Sequence, residues 1–198
     1  MKRPAVNGRL NQEFFTKYED ASQDVYQKMF VNALPYLKNK KKILTISNSR
    51  TVFEILKRLG AVNKNLSVVL CESRPKFEGR VLAKKLLNEN INTEVITEAM
   101  TAKYISGCGC VLIGADSVLK NSSIVNKVGS LQAAILCKYY KKPFYVLADK
   151  SKFSSKKTMK QRSESRNEIW QNAPHKAALK NFYFETVPPK LISKIITE

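Results

Sequence analysis

Residues 42–60, KILTISNSRTVFEILKRLG, contain the change of periodicity that decides the fold. The first part, residues 42–47, is a short apolar run rich in β-forming residues, which is typical of a buried strand. Asn48 and Ser49 follow as turn residues. Residues 51–59 then have helical spacing up to Gly60, a common residue at the end of a helix. The stretch therefore predicts a strand, a turn and a helix.

The same unit of strand and helix recurs along the rest of the chain. Further strands are predicted at residues 66–71, 93–97, 110–113, 143–148 and 182–187, and further helices at residues 79–88, 98–105 and 129–140. Apolar strands separated by helices indicate a mostly parallel sheet covered on both faces. The sequence therefore predicts a doubly wound, Rossmann-like α/β fold.

A long amphipathic helix is predicted ahead of this α/β pattern. Apolar residues recur at helical spacing from Phe14 to Leu37, and Asn11 is a suitable N-cap. We therefore divide the chain into a helical N-terminal segment, residues 1–40, and an α/β domain, residues 41–198.

The charge balance indicates which partners the protein attracts. Lys and Arg number 35 against 16 Asp and Glu, which gives a net charge of +19 and favours RNA or an acidic protein surface as a partner. The sequence has no apolar run long enough for a signal peptide or a membrane span, so we expect a cytoplasmic protein that does not contact membranes.

Several common cofactor motifs are missing from the sequence. The cysteines do not form the paired clusters of a zinc site, and the only histidine is His175, so no metal is expected. The phosphate-binding loop G-x-x-x-x-G-K-[ST] does not occur, and no G-x-G-x-x-G follows the first strand. We therefore expect no cofactor.

Polar residues cluster after four of the predicted strands, and the carboxyl ends of parallel strands are where such sheets bind ligands. The clusters are residues 47–50, 72–75, Asp116 with residues 126–127, and residues 149–152. Cations suited to a phosphate and side chains suited to sugar hydroxyls occur among them. The cations are Arg74, Lys127 and Lys152, and the hydroxyl-binding residues are Ser47, Asn48 and Asn126. The alternative is that each cation is an ordinary solvated surface residue.

Residues 114–130, GADSVLKNSSIVNKVGS, show neither a helical nor a strand pattern and are expected to form a loop. We predict that Lys127 and the N-terminus of the following helix bind an anion, with Asp116 at the sugar end of the ligand. Gly114 would permit close approach of the backbone, and Gly129 would let the chain turn into the helix.

Four motifs resemble one known family when they are taken together. They are LTISNSRTVFEIL, CESRPKFEGRVLAKKL, GADSVLKNSSIVNKVGSLQAAILCKYYKKPFYVLADKSKF and VPPKLISKIITE. The sequence is similar to the regulatory alpha, beta and delta subunits of the guanine-nucleotide exchange factor for translation initiation factor two. The same family includes isomerases of methylthioribose 1-phosphate and ribose 1,5-bisphosphate. The resemblance covers about residues 40–198.

The resemblance implies roles for particular residues. Asp116 matches the proton donor of the isomerases, Asn126 and Lys127 match their substrate-contacting pair, and Lys152 matches a further phosphosugar contact. The isomerase thiol lies in a T-H-C-N pattern that here reads TISN, so Ser47 replaces the cysteine. A serine hydroxyl is far less acidic than a thiol, which disfavours proton transfer.

A second departure from the family is at the N-terminus. Relatives open with a helical domain of roughly a hundred residues, whereas only a short segment precedes the first strand here. In the isomerases, the resemblance implies, that domain contributes an arginine-glycine loop to the site. Without it the site would be open to water on one side, and Arg9 is the only nearby cation that could substitute for the loop. Both departures favour a non-catalytic binding protein with a phosphosugar or nucleotide pocket. The alternative is an aldose-ketose sugar-phosphate isomerase.

Two segments are expected to contact partners. Residues 150–166 hold seven Lys or Arg and one acid, which fits either a solvated mobile loop or a salt-sensitive contact with RNA or an acidic protein. Because relatives pair through this domain, the resemblance implies a homodimer, built partly from residues 129–140 and 191–196.

Overall fold

The protein is described from a computed structural model that covers the backbone from residue 8 and the side chains from residue 22, both to residue 198. Five α-helices and nine β-strands occur in this part of the chain. In chain order they are α1 (Gly8–Leu37), β1 (Lys42–Ile46), α2 (Arg50–Val62), β2 (Ser67–Cys71), α3 (Glu78–Asn88), β3 (Asn92–Ile96), α4 (Thr101–Ile105), β4 (Cys110–Gly114), β5 (Ser117–Val118), β6 (Ile124–Lys127), α5 (Ser130–Tyr139), β7 (Phe144–Leu147), β8 (Phe184–Val187) and β9 (Lys194–Ile196). None of these helices is both long enough and apolar enough to cross a membrane.

The main sheet has six strands in the order β3-β2-β1-β4-β7-β9, and all of its pairs are parallel. The chain enters this sheet at its centre with β1 and builds outward to β3. It then returns to the other side of β1 with β4. The order of strands reverses between β1 and β4, which is the position where sheets of this kind bind ligands. The predicted doubly wound, Rossmann-like fold is confirmed.

Helices cover both faces of the main sheet and create two apolar cores. Helices α1, α2 and α3 cover one face, where Met29 and Leu37 of α1 are fully buried beside Leu56 of α2 and Leu82 of α3. The other face carries α4, α5 and a small second sheet. Because strand residues alternate between the two cores, β1 and β4 are apolar along almost their whole length.

The sixth strand of the main sheet is not the one that the sequence predicts. The predicted strand at residues 182–187 corresponds to β8, which lies in the second sheet and pairs antiparallel with β6. The sixth position of the main sheet belongs to β9, which pairs with β7 through Ile195 and Val146. A strand of three residues is too short to give a periodic pattern, so the sequence did not reveal it.

The expectation of a plain loop at residues 114–130 is also wrong. Strands β5 and β6 form an antiparallel pair within it, and β6 joins β8 to complete the three-stranded second sheet. Ile124 and Val125 are buried in this sheet. At the N-terminus, α1 begins at Gly8, so Asn11 lies inside the helix and does not cap it.

Candidate functional site

A cleft of about 780 Å³ opens at the carboxyl edge of the main sheet, beside the ends of β1 and β4. Its volume is within the range of small-molecule sites. Six of the seven residues that the sequence assigns to the site line this cleft. They are Ser47, Asn48, Asp116, Asn126, Lys127 and Lys152. The structure therefore brings together residues that follow β1, β4 and β7 with two residues of strand β6.

Arg74 is the predicted site residue that does not line the cleft. Its side chain is exposed, its guanidinium lies 5.0 Å from the centre of the Phe77 ring, and it donates a hydrogen bond of 3.4 Å to the carbonyl oxygen of Ile169. Arg74 follows β2, which is one strand further from the point where the strand order reverses. The structure therefore places Arg74 outside the cleft, and its assignment to the ligand site stays a prediction.

Ser47 stands at the end of β1 in a left-handed backbone conformation, with a φ of 67°. This conformation is unfavourable for a residue other than glycine and must be held by its surroundings. The Ser47 amide donates a hydrogen bond of 2.8 Å to Ser73 Oγ, and Ser73 in turn donates from its amide to Glu98 Oε1 at 2.6 Å. The end of β2 thus fixes the turn that presents Ser47 to the cleft.

Lys127 is the most enclosed cation of the cleft. It ends β6, only 4% of its side chain is exposed, and its Nζ lies 2.9 Å from Glu78 Oε1. The same Nζ is 4.7 Å from the centre of the Tyr183 ring, within the range of a cation–π contact. The buried charge of Lys127 is therefore balanced by one carboxylate and one aromatic face.

Asp116 lies in the turn between β4 and β5 and is exposed to the open cleft. The crowding of the cleft walls raises the pKa of its carboxyl, because partial loss of water disfavours the charged form. The positive charges of Lys152 and Lys127 act in the opposite direction and lower this pKa. A carboxyl with a raised pKa is suited to donating a proton.

The N-terminus of α5 does not provide the predicted anion site. The amide of Leu131 in its first turn already donates a hydrogen bond of 2.8 Å to Glu185 Oε1, so a carboxylate of the chain itself occupies this position. The predicted role of Gly129 is confirmed. Gly129 precedes α5 with a φ of 99°, a conformation that glycine adopts at little cost.

The two predicted amide side chains are held by neighbouring residues. Asn126 is buried and donates a hydrogen bond of 2.9 Å to Ser130 Oγ, while Ser130 Oγ donates to the carbonyl oxygen of Lys127. Asn48 Oδ1 accepts a hydrogen bond of 3.3 Å from Lys85 Nζ. Both amides are therefore oriented before any ligand arrives, which reduces the entropy lost on binding.

Among the residues that the structure describes, the cleft does not share the strong positive charge of the chain. These lining residues include three cations and four carboxylates: Arg50, Lys127, Lys152, Glu78, Asp116, Asp149 and Glu198. The sequence reasoning missed Glu78 and Tyr183, which both contact Lys127. Glu78 is the first residue of α3 and Tyr183 directly precedes β8. Neither position follows a strand of the main sheet, so no signal in the sequence marked them.

Comparison with known proteins identifies the family. The sequence pattern of the Initiation factor 2 subunit family matches residues 10–198. The chain belongs to this family. It is 34% identical, over 94% of its length, to an eIF-2B subunit 2-like translation initiation factor protein of Pyrococcus furiosus. It is 31% identical, over 61% of its length, to a ribose 1,5-bisphosphate isomerase of Archaeoglobus fulgidus.

Solved structures agree with this membership of the Initiation factor 2 subunit family. The fold is similar to the crystal structure of Pyrococcus horikoshii translation initiation factor eIF-2B, with a TM-score of 0.77 and 26% identity over 92% of this chain. The chain spans 65% of that structure, 65% of the Pyrococcus furiosus relative and 38% of the isomerase. The family therefore includes translation-factor-like proteins and isomerases, and both are similar to this chain.

One family-based expectation lies outside the described residues. Arg9 belongs to the first turns of α1, but its side chain is not among those that the structure describes. For this member of the Initiation factor 2 subunit family, the wall of the cleft on the α1 side is therefore described only from Ser22 onward, with Val25 and Tyr26 also lining it.

Proposed function

We propose that this chain is a translation-factor-2B-like protein that binds a phosphorylated sugar or a nucleotide without converting it. The observation that carries the proposal is one cleft whose lining includes Asn48, Asn126, Lys127, Lys152 and Asp116. Ser47 lines the same cleft, and the resemblance to the isomerases implies that it stands where they have a thiol. The family includes both kinds of protein, so the residues of this cleft must decide between them.

The lining suits a ligand with one strongly anionic end and one hydroxyl-rich end. Lys152, and Lys127 once its contact with Glu78 is broken, can pair with phosphate oxygens, since charge-assisted hydrogen bonds are among the strongest that a protein makes. The amides of Asn48 and Asn126 can both donate to and accept from sugar hydroxyls. A sugar phosphate or a nucleoside monophosphate has both of these ends.

The reason to expect binding without turnover is the hydroxyl of Ser47. Moving a proton between two sugar carbons needs a group that accepts a proton and a group that returns it. Asp116 could serve as one of them. A serine hydroxyl is a poor acceptor unless a base activates it, and the contacts that hold Ser47 involve its backbone amide.

The isomerase alternative rests on a specific observation about Asp116. The raised pKa of its carboxyl is what a proton donor requires, and a ribose 1,5-bisphosphate isomerase is among the relatives of the chain. Conversion of ribose 1,5-bisphosphate to its ketose by the unmodified protein would establish this alternative and refute the non-catalytic proposal.

Calorimetry tests the binding proposal. Ribose 1,5-bisphosphate and adenosine monophosphate are titrated into the unmodified protein and into Lys127→Ala, Asp116→Asn and Lys57→Ala. Lys57 is the matched control because it forms a comparable ion pair, with Glu89 at 2.7 Å, outside the cleft. We expect binding by at least one ligand, its loss in Lys127→Ala and its retention in the other two variants. Equal affinity in Lys127→Ala and Lys57→Ala would refute the site.

We also propose that the chain forms a homodimer through α5. Ile135 and Tyr139 are four residues apart on this helix, and 52% and 76% of their surfaces are exposed. Residues one helical turn apart lie on the same face, so the two side chains form an apolar strip. Of the second predicted contact segment, Ile196 is already buried in β9. Sedimentation at micromolar concentration tests the dimer, and a monomer that persists there would refute it.

For a macromolecular partner, we propose that residues 150–166 form an electrostatic contact with RNA or an acidic protein. Most of this segment is exposed, and its first residues lie beside the cleft, where Lys152 is part of the lining. The affinity of such an electrostatic contact falls steeply as the salt concentration rises. Filter binding of a single-stranded RNA at two salt concentrations tests the proposal, and the same affinity at both concentrations would refute it.

A further inference from the structure

The contact between Lys127 and Glu78 places a carboxylate where a ligand phosphate would have to bind. Lys127 Nζ and Glu78 Oε1 are 2.9 Å apart, and both residues line the cleft. Lys127 is nearly inaccessible, with 4% of its side chain exposed, while 30% of the Glu78 side chain is exposed. The cleft side of this pair is therefore occupied mainly by Glu78.

Glu78 is held in this place by the way α3 begins. The next residue, Gly79, packs so closely on the end of β2 that a Cβ atom there would lie 1.9 Å from the carbonyl oxygen of Cys71. The residue before, Phe77, has a left-handed backbone with a φ of 58°. The start of α3 is thus fixed against the main sheet, and Glu78 cannot move far from Lys127 without a change of side-chain conformation.

The second oxygen of Glu78 is poorly satisfied. Oε2 is buried and has no hydrogen-bond partner among the described residues. A buried acceptor without a partner is unfavourable. The conformation of Glu78 is therefore stabilised by the single contact with Lys127, and a stronger anion on Lys127 would leave the carboxylate free to turn towards water.

We propose that Glu78 is an internal competitor for the anion site, a carboxylate that a ligand phosphate must displace from Lys127. This inference rests on the proposed function of the cleft. A phosphate monoester carries close to two negative charges at neutral pH, whereas a carboxylate carries one. The dianion therefore replaces Glu78 on Lys127, and singly charged groups such as a sugar carboxylate or a phosphodiester do so poorly. Glu78 makes the cleft selective for phosphate monoesters.

The decisive variant is Glu78→Gln, which removes the charge and keeps an oxygen that can accept a hydrogen bond from Lys127. Glu89→Gln is the matched control, because Glu89 lies at the other end of α3 and pairs with Lys57 at 2.7 Å outside the cleft. Calorimetry with ribose 1,5-bisphosphate should show roughly tenfold tighter binding to Glu78→Gln, the size expected for one charge-assisted contact, and no change for Glu89→Gln.

Two further measurements make the interpretation specific. In the double variant Glu78→Gln with Lys127→Ala, the gain in affinity should disappear, because the competitor acts only through Lys127. Ribonate, a sugar carboxylate, should bind measurably to Glu78→Gln. Its affinity for the unmodified protein should be at least tenfold weaker. If Glu78→Gln does not fold, as judged by its melting curve, Glu78→Asp replaces it, since the shorter side chain weakens the contact with Lys127 while keeping the charge.

The outcomes separate this inference from the proposed function. Lys127-dependent binding of ribose 1,5-bisphosphate that is equal or weaker in Glu78→Gln would overturn the competitor role alone. Binding by neither protein would overturn the proposed function, and the competitor role with it. Tighter binding in Glu78→Gln that survives the loss of Lys127 would also overturn the inference, because the added affinity would then arise elsewhere in the cleft.

Discussion

Gly114, at the end of β4, leaves the space that Ser49 occupies on the floor of the cleft. A Cβ atom at residue 114 would lie 2.5 Å from Ser49 Oγ and 3.0 Å from Ser49 Cβ. Ser49 is the N-cap of α2, where its Oγ accepts a hydrogen bond of 3.3 Å from the amide of Val52. The substitution Gly114→Ala therefore pushes the capping oxygen away from α2.

The expected destabilisation combines two effects. Loss of an N-cap hydrogen bond costs about 1 kcal/mol. Overpacking against the less movable Cβ of Ser49 adds about 1 to 2 kcal/mol. For a domain of this size each kcal/mol lowers the melting temperature by roughly 2 to 4 °C, so Gly114→Ala should melt about 4 to 12 °C below the unmodified protein. Differential scanning calorimetry measures the shift directly.

Two comparisons show whether the contact with Ser49 is the cause. Gly107→Ala is the matched control, because the nearest atom to its new Cβ would be the carbonyl oxygen of Tyr104 at 3.7 Å, an ordinary contact. Its melting temperature should change by less than about 2 °C. In a Ser49→Ala background the crowded oxygen is gone, so Gly114→Ala should cost less there. The reasoning is refuted if Gly114→Ala costs the same in both backgrounds.

Three further predictions follow from the titratable groups. Loss of water raises the pKa of the Asp116 carboxyl, so the folded state favours its protonated form. Asp116→Asn should therefore stabilise the protein at pH 7, by no more than about 1 kcal/mol because solvent exposure screens the effect, and urea unfolding near pH 3 should show no gain. A gain in stability that persists at pH 3 would contradict this. Contacts with Lys76 and Tyr183 lower the pKa of Glu168 to about 2, so its contribution is present above pH 4.5 and is lost as the pH falls towards 2. Melting curves of Glu168→Gln should therefore depend less on pH in that window than those of the unmodified protein, and identical slopes would disprove the assignment. Burial raises the pKa values of the four cysteine thiols to about 11 or 12. A thiol reagent at pH 8 should therefore label none of them in the folded protein and all four after unfolding. Fast labelling of the folded protein would rule out their burial.

Most of the main sheet could be predicted from the sequence because β1, β2, β4 and β7 give clear apolar runs, whereas β3 does so only weakly. Residues 42–60 contain the predicted strand, turn and start of the helix, but the predicted helix end at Gly60 is wrong, because α2 continues to Val62 and Asn63 is its C-cap. The second sheet was missed because β5 and β6 are only two and four residues long. Strand β8 was predicted as a strand, but it was assigned to the wrong sheet because its residues do not alternate clearly between a buried and an exposed face.

The candidate site was predictable where it follows strands of the main sheet and not where it depends on packing. Ser47, Asp116 and Lys152 follow β1, β4 and β7, and the topology alone places them at one edge. Glu78 and Tyr183 reach Lys127 only because α3 and the second sheet pack beside each other, which a one-dimensional pattern cannot encode. Arg74 shows the converse, because following a strand is not enough when that strand lies away from the reversal of the sheet order.

The ends of β1 and β4, where the strand order reverses, form the floor of the cleft, and other elements form its walls. We expect the backbone amides of the floor and of the walls to exchange with solvent at different rates. Both strands have hydrogen-bonded neighbours on each side and buried side chains on each face. We therefore expect their amide hydrogens to exchange with solvent only when the whole domain opens. The walls that carry Lys127, Lys152 and Tyr183 belong to a small sheet and an irregular connection, and we expect the amides there to exchange sooner. A ligand would thus bind between a rigid floor and more mobile walls. In hydrogen–deuterium exchange, its binding should slow the exchange of amides in the walls and leave the exchange of amides in the floor the same.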